Sequence, residues 1–233
     1  MRRHWFALAA TALLGISAGT FAADEPKPDA DGWIALFDGK TLDGWVQRGG
    51  KARYSVDDGQ IVGIAVPNTP NSFLCTKREY GEFVLELEFK VDSRLNSGVQ
   101  IRSHVAEEGK EVESAGKKIK GGAGGRVFGY QVEIDPSDRA YTGGIYDEGR
   151  RGWLNDLKDN EPARKAFKQK EWNAFKIECK GPSIKTWLNG IPAADMKDDV
   201  DPKGFIALQV HGIGKKEDHL EVRWRHIRLR ELK

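Results

Sequence analysis

The chain has 233 residues, with 37 basic and 35 acidic side chains and a formal net charge of +2. This near balance argues against an electrostatic nucleic-acid binder, which needs a net or clustered basic surface to displace counterions. The two cysteines, Cys75 and Cys179, are too few for a disulfide framework or a thiolate metal site. One bridge between them and two separate buried thiols are both compatible with the sequence.

The first 22 residues have the pattern of a secretory signal peptide. Two arginines precede a short apolar run at 5–21 that is rich in small residues, and Thr20 and Ala22 are the small residues expected before a cleavage point. An uncleaved anchor is the alternative, but no basic stop-transfer cluster follows the run. We therefore expect an exported chain, periplasmic or secreted, that does not stay in the membrane after cleavage.

The rest of the chain is predicted to be a short linker at 23–31 and one domain at 32–233. Cleavage would remove two arginines and no acidic residue, which leaves 35 basic and 35 acidic side chains. About 200 residues can bury a full core as one domain, because sandwiches of this size commonly fold undivided.

Alternation of apolar and polar residues predicts strands through most of this domain. It is clearest at 83–91, and it recurs in ten further segments. These are 33–37, 53–57, 60–65, 72–76, 98–104, 127–135, 172–179, 184–188, 205–211 and 220–229. In the last segment the apolar phase slips by one residue near Arg225 and His226, which a β-bulge would explain.

Turn signals such as Asp58-Gly59 and Asn189-Gly190 separate the strands, and helical periodicity is almost absent. The pattern predicts an all-β protein, a two-sheet antiparallel sandwich of jelly-roll type. One short helix is predicted at 161–168. Two stretches interrupt the strands: 107–126, which we interpret as a mobile loop, and 136–170, whose length suggests a functional loop.

Three of the predicted strands lack the usual lysines on their polar side. Their polar side chains are Gln100, Arg102 and His104, then Gln131, Glu133 and Asp135, then Gln209 and His211. Such groups make directional hydrogen bonds to hydroxyls, and a carbohydrate offers many hydroxyls at fixed spacing. If the strands are neighbours, they form one floor that would bind a sugar; the plain alternative is a solvated surface.

Several sequence blocks also resemble those of a known family. They are Gly32 to Trp45, Asn96 to Arg102, Gly129 to Asp135, Thr142 to Asp147, Glu171 to Asn173, Trp187 to Gly190 and Gly204 to His211. In this order they are similar to the signature blocks of the 3-keto-disaccharide hydrolase family, and the resemblance covers about residues 32 to 232.

The resemblance implies an exported, concanavalin-like jelly roll that cleaves glycosides whose carbon 3 has been oxidised to a ketone. The ketone acidifies the proton on carbon 2, so a base can remove it while the aglycone leaves carbon 1, and water adds afterwards. Such a site needs a base, a cation or donor at the keto oxygen, and an acid for the leaving oxygen.

For these roles we hypothesise His211 or Glu133 as the base and Arg102 as the stabiliser of the enolate oxygen. Tyr146 or Asp135 would be the acid or an orienting group. These five residues are the predicted catalytic set.

The residues of the predicted substrate-binding set would bind hydroxyl groups of the sugar or form the walls of the site. It comprises Gln100, Gln131, Gln209, Trp153 and Arg151, with Trp153 stacking on a sugar face. The sequence does not assign a cofactor, and a divalent cation could replace or assist Arg102. If a divalent cation assists, then Glu133, Asp135 and His211 are its predicted ligands.

Two alternatives stay open. Glu133-Ile134-Asp135 resembles the Glu-x-Asp core of retaining jelly-roll glycosidases, although Pro136 follows where a further strand residue would be expected. The other alternative is a carbohydrate-binding module without catalysis, because a jelly-roll fold does not itself imply an enzyme. The aglycone, the anomer, the oligomeric state and the order of elimination and hydration are left open by the sequence.

Overall fold

The computed structural model describes residues 27–215 and 219–232. The predicted signal peptide at 1–22 and the first part of the linker lie outside these residues. No helix among the described residues is long and apolar enough to cross a membrane.

Seventeen strands and one helix make up the described chain. The first nine strands are β1 (Trp33–Ala35), β2 (Trp45–Gly49), β3 (Arg53–Asp57), β4 (Gln60–Ile64), β5 (Ser72–Tyr80), β6 (Phe83–Val91), β7 (Ser97–Ala106), β8 (Glu111–Ser114) and β9 (Lys117–Lys120). They are followed by β10 (Arg126–Ile134), β11 (Ile145–Glu148), β12 (Gly152–Asn155), α1 (Glu161–Ala166), β13 (Asn173–Lys180), β14 (Ser183–Leu188), β15 (Ile191–Lys197), β16 (Gly204–Val210) and β17 (Glu221–Glu231).

Two antiparallel sheets face each other, as the alternating pattern predicts. One sheet has the order β15-β14-β13-β6-β17-β4-β3, with β1 also paired to β17, and the other has the order β12-β11-β10-β7-β16-β5-β2. We call the second one the site sheet. The predicted all-β jelly-roll sandwich is confirmed.

The core lies between the sheets and is built by the predicted alternation. In β6, Phe83, Leu85, Leu87 and Phe89 are buried, whereas Glu86 and the other intervening charged residues are half-buried on the outside. Burying one side chain of this size contributes about 1.5–3 kcal/mol relative to leaving it exposed. The inward residues of β7, β10 and β16 complete the same core from the site sheet.

The bulge predicted in β17 is confirmed. The register of β17 against β6 shifts between Arg225 and Arg228, and His226 has a left-handed φ of +52°. The extra residue restores the phase, so that Trp224 and Ile227 are both buried. Asn189 and Gly190 also have positive φ values, as a two-residue hairpin turn requires.

The stretch 107–126, expected to be a mobile loop, is instead organised by the β8–β9 hairpin. Ile119 is 2% exposed and packs with Ala106 and Phe128 of the site sheet, while Lys118 and Lys120 form ion pairs with Glu111. The glycines around the hairpin concealed its short alternation. The second long stretch, 136–170, contains β11, β12 and α1, and the predicted helix ends two residues early.

Cys75 and Cys179 are both buried and free, so two separate thiols are present rather than a bridge. Cys75 lies on the outer side of the site sheet, and Cys179 lies in the core between the sheets. Burial raises the pKa of each thiol to about 12.

Candidate functional site

The three strands with unusual polar faces are neighbours in the site sheet, in the order β10-β7-β16. Strand β11 extends this surface because it pairs with the far side of β10, with Tyr146 opposite Gln131 and Glu148 opposite Gly129. The outward side chains of these strands form one surface, which we call the polar floor. It consists of Gln100, Gln131, Glu133, Tyr146, Glu148 and Gln209.

A chain of hydrogen bonds crosses the floor and ends at Glu133. Ser103 Oγ donates to Gln100 Oε1 at 2.7 Å, Gln100 Nε2 donates to Gln131 Oε1 at 2.8 Å, and Gln131 Nε2 donates to Glu133 Oε2 at 2.8 Å. Gln100 is 0% exposed and Gln131 is 2% exposed. The two glutamines therefore bond to each other and to protein groups, which contradicts the prediction that Gln100 is available to a substrate hydroxyl.

Gly98 is required for this arrangement. A Cβ atom at this position would lie 2.5 Å from Cδ of Gln131, closer than real Cβ contacts occur. The missing side chain lets Gln131 lie across β7 and reach both Gln100 and Glu133.

Glu133 is 4% exposed, and burial raises the pKa of its carboxyl group. Hydrogen bonds from Asn96 and Gln131 and the charge of Arg139 oppose this shift. Asn96 Nδ2 lies 2.6 Å from Glu133 Oε1, and Arg139 Nη2 lies 3.8 Å from the same oxygen. Two hydrogen-bond donors and the positive charge of Arg139 thus stabilise the ionised form of this buried carboxylate.

Glu148 is a second carboxyl group on the same floor. Burial and then the negative charge of Glu133 raise its pKa to about 7, while Arg126 and Asn71 have smaller opposing effects. Two carboxyl groups with raised pKa values on one surface are candidates for the acid and the base of a reaction.

Gln209 is 0% exposed, and neither its Nε2 nor its Oε1 has a hydrogen-bond partner among the described residues. Burying an amide without partners costs about 1–3 kcal/mol. Of the three glutamines predicted to bind the substrate, only Gln209 has an amide without a hydrogen-bond partner among the described residues.

An aromatic wall borders the floor at β11 and β12. Trp153 packs edge-on against Tyr146 at 5.3 Å and against Tyr141 at 5.2 Å between ring centroids, and the guanidinium of Arg139 lies 5.1 Å from the Trp153 ring. Burial, followed by the charges of Glu148 and Glu133, raises the pKa of Tyr146. Trp153 therefore packs beside Tyr146 at the edge of the floor.

Asp135 is committed to the loop that follows β10. Its carboxylate accepts bonds from the Ser137 hydroxyl at 2.6 Å and from Arg139 Nε at 2.7 Å. Burial alone would raise the pKa of Asp135, but these bonds outweigh it and lower the pKa. This favours the predicted orienting role over an acid role, because the carboxylate holds Arg139 in place and stays ionised.

Arg102 does not share the side of Gln100. Its φ of +45° turns the chain, and its guanidinium donates to the carbonyls of Gly81 at 2.7 Å and Gly181 at 2.8 Å. Gly181 belongs to the turn between β13 and β14 of the other sheet. The predicted direction of the Arg102 side chain was wrong, because the left-handed backbone conformation reverses it, and Arg102 bridges the two sheets.

Arg151 is also directed away from the floor. It pairs with Asp147 and forms two bonds with Asp198 at 2.8 and 3.1 Å. Asp147 is 0% exposed and lies on the opposite side of β11 from Tyr146 and Glu148. The predicted wall residue is thus part of an ionic network that also includes Arg150 and Asp201.

His211 is exposed and follows directly after β16. Val210 pairs with Ser97, so His211 comes level with Asn96, the residue that donates to Glu133. Nδ1 of His211 lies 2.8 Å from the carbonyl oxygen of Gly212, and when it donates there Nε2 is left as an acceptor.

The predicted metal ligands do not form a site. Asp135 is occupied by Ser137 and Arg139, and Glu133 by Asn96 and Gln131. Among residues 27–215 and 219–232, no group of three or more His, Cys, Asp or Glu side chains is arranged to hold a metal ion.

A cleft of about 580 Å³ opens beside the floor. Phe73 and Val127 contribute apolar surface, and Glu148, Arg126 and Asn71 are polar residues of its lining. Its other walls are the loops at 49–51, 68–70 and 120–125. Because Glu148 belongs to both surfaces, the cleft adjoins the floor at this carboxyl group.

The sequence hypotheses missed Glu148, Asn96 and Arg139 as individual site residues. Glu148 could have been predicted from the sequence, since it is two positions from Tyr146 and lies on the same side of a strand. Asn96 precedes a predicted strand, and Arg139 reaches Glu133 only through the fold of its loop, so neither carried a local signal.

The comparisons with known proteins agree with the fold and give a family. The family model described as 3-keto-alpha-glucoside-1,2-lyase-like domain matches residues 32–230. A protein of Bacteroides thetaiotaomicron named 3-keto-disaccharide hydrolase is 38% identical over 81 residues, which span 30% of this chain and 27% of that protein.

Two solved structures extend over most of the chain. A candidate glycosyl hydrolase from Parabacteroides distasonis ATCC 8503 has a TM-score of 0.58 and 18% identity and covers 88% of this chain and 95% of its own. A Bacillus subtilis protein with a galectin-like fold has a TM-score of 0.58 and 12% identity, covering 82% and 90% of the two chains. At these identities the likeness shows the fold alone.

Proposed function

Because the chain belongs to the family of 3-keto-alpha-glucoside-1,2-lyase-like domains, we propose that it binds a carbohydrate and cleaves glycosides that carry a ketone at carbon 3. The observation that supports this most directly is the pair of carboxyl groups, Glu133 and Glu148, on one floor beside a cleft. The reaction needs one group that accepts a proton and another that donates one.

Glu133 is the proposed base. It removes the proton from carbon 2 of the sugar, and the electron pair forms the enolate of the ketone at carbon 3. Asn96, Gln131 and Arg139 support this role because they stabilise the ionised carboxylate before the reaction. His211 is the alternative base, since its Nε2 is an acceptor at the neighbouring strand end.

Arg139 is the proposed cation at the enolate oxygen, in place of Arg102. Its Nε is held by Asp135 at 2.7 Å, and it lies against the Trp153 ring, while its side chain is 46% exposed. A fixed guanidinium at the edge of the floor stabilises developing negative charge without reorganising during the reaction.

Glu148 is the proposed acid. When the bond from carbon 1 to the leaving oxygen breaks, Glu148 gives that oxygen its proton, and a double bond forms between carbons 1 and 2. Water then adds across this double bond: its oxygen bonds to carbon 1 and its proton restores the acid form of Glu148, while Glu133 returns its proton to carbon 2 and the free 3-keto sugar forms. The aglycone would lie in the cleft, because Glu148 is part of its lining. Tyr146 and Trp153 would contact the sugar ring.

Export is part of the proposal. The N-terminal 22 residues have the signal-peptide pattern, and a chain delivered to the periplasm or the medium would meet extracellular glycosides.

The test is to incubate the mature protein with a 3-keto-disaccharide and, separately, with its unoxidised parent, each with and without a chelator. Cleavage of the keto form alone, abolished by Glu133→Gln, is expected. Cleavage that persists in Glu133→Gln but is lost in His211→Ala would transfer the base role to His211. Binding of either sugar without turnover would support a binding module and overturn the proposal.

A conventional retaining glycosidase is the second candidate, because that reaction is also catalysed by two neighbouring carboxyl groups. The same experiment separates it, since such an enzyme would cleave the unoxidised parent.

A further inference from the structure

Glu133 is the end of a buried hydrogen-bond chain that reaches back to Ser103 on β7. The members are Ser103, Gln100, Gln131 and Glu133, at successive donor to acceptor distances of 2.7, 2.8 and 2.8 Å. Ser103 and Gln100 are each 0% exposed, so neither side chain reaches the solvent.

Every donor in this chain is directed toward Glu133. The Ser103 hydroxyl occupies Gln100 Oε1, which leaves Gln100 Nε2 to donate to Gln131 Oε1. That bond in turn fixes the amide of Gln131 with its Nε2 toward the carboxylate. An amide held in this orientation favours the ionised carboxylate, whereas a flipped amide would present an oxygen and favour the protonated acid.

Ser103 can also support the opposite orientation. Its Oγ lies 3.1 Å from the Ile101 carbonyl oxygen and 3.2 Å from the Tyr130 carbonyl oxygen. If the two amides flip when Glu133 takes up a proton, Ser103 can accept from Gln100 and donate to one of these carbonyls. All members of the chain then keep partners in both protonation states, which a hydroxyl allows because it is both donor and acceptor.

We propose that Ser103 and Gln100 are positioning residues that hold the amide of Gln131 with its Nε2 toward Glu133, without contact with the substrate. This inference rests on the proposed role of Glu133 as the base. It follows that a substitution at Ser103, which is separated from Glu133 by two glutamines, changes the protonation equilibrium of Glu133.

The test is Ser103→Ala, with Ser103→Cys as a control of similar size that keeps a weak donor. In Ser103→Ala, Gln100 Oε1 loses its donor, and nothing then fixes the two glutamine amides in the orientation in which Gln131 donates to Glu133. The pKa of Glu133 should therefore rise. We expect kcat/KM of Ser103→Ala on the acidic side of its pH profile to fall by about three- to tenfold, while the value near the pH optimum changes little. The kcat/KM of Ser103→Cys at acidic pH should lie between those of the wild type and Ser103→Ala.

The titration of Glu133 is measured separately, by carbon NMR of its carboxyl group in the substrate-free protein, with Glu133→Gln assigning the signal. An unchanged titration in Ser103→Ala overturns the proposal. A shifted titration with an unchanged pH profile supports the hydrogen-bond chain and removes Glu133 from the base role. If Ser103→Ala does not fold, Gln100→Met breaks the next bond and is expected to shift the titration in the same direction.

Discussion

At the scale of single residues, Glu148 is governed by burial and by its neighbour Glu133. Both raise its pKa, to about 7, so at neutral pH the group is divided between its acid and its carboxylate. A group in this state can donate a proton to a leaving oxygen and recover it, which is the reason for its proposed role.

Glu148→Gln tests that role through the pH dependence of catalysis. If Glu148 must be protonated, kcat/KM of the wild type declines as pH rises past about 7. The variant should lose this alkaline decline and have a much lower kcat, because an amide cannot donate the proton. A decline that persists in Glu148→Gln would assign the acid to another group, with Tyr146 the next candidate.

The same substitution affects stability. A carboxyl group whose pKa is higher in the folded state stabilises the fold at low pH and loses this contribution as pH rises from about 4.5 to about 7. Relative to the wild type, Glu148→Gln should therefore gain on the order of 2 kcal/mol in unfolding free energy between about pH 4 and about pH 8. Urea unfolding at the two pH values measures the difference, and an equal effect at both would contradict the shifted pKa.

Gln209 gives a prediction in which stability and function move in opposite directions. Its amide is buried with no partner among the described residues, so Gln209→Leu should raise the unfolding free energy by about 1–2 kcal/mol. If the amide binds a substrate hydroxyl, the same variant should raise KM. Thermal unfolding and steady-state kinetics measure the two effects, and a destabilised variant would show that the amide has a structural partner.

At the scale of elements, the β17 bulge depends on one residue with a left-handed conformation. His226 has a φ of +52° and an exposed side chain, and its Nδ1 lies 3.4 Å from Glu88 Oε2. The bulge keeps Trp224 and Ile227 in the core on either side of it.

Comparison of His226→Gly with His226→Val tests this requirement. Both remove the imidazole, but only valine carries a branched Cβ into the left-handed region, where it costs about 1–2 kcal/mol. The valine variant should be less stable than the glycine variant by that amount in urea unfolding. Equal stabilities would mean that the bulge relaxes into another register.

At the scale of the whole molecule, Arg102 joins the two sheets. Its guanidinium is buried and donates to the carbonyls of Gly81 and Gly181, which lie in turns that no nearby sequence signal connects to β7. Its predicted role at the enolate oxygen is replaced by a structural one.

Arg102→Met should lower the unfolding free energy by about 2–4 kcal/mol, because the hydrogen bonds from a buried guanidinium to two carbonyl groups are lost. The exposed Arg53 on β3 is a suitable control, since Arg53→Met should change stability by less than about 0.5 kcal/mol. Activity per folded molecule should persist in Arg102→Met at low temperature. Loss of turnover in a variant of unchanged stability would return Arg102 to the catalytic set.

The sequence by itself determined the all-β sandwich, the bulge in β17 and three of the four strands that carry the polar floor. These follow from alternation and turn residues, which act over a few positions and need no partner. The same local rules failed at Arg102, where a left-handed residue breaks the alternation, and at 107–126, where glycines concealed a hairpin.

Only the tertiary structure decided which polar residues form the site. The placement of Glu148 on the floor depends on the pairing of β10 with β11, and the approach of Arg139 to Glu133 depends on a loop held by Asp135. Burial, which sets the pKa of both glutamates, depends on every neighbouring element at once. Such quantities arise from contacts between distant parts of the chain, so no window of the sequence contains them.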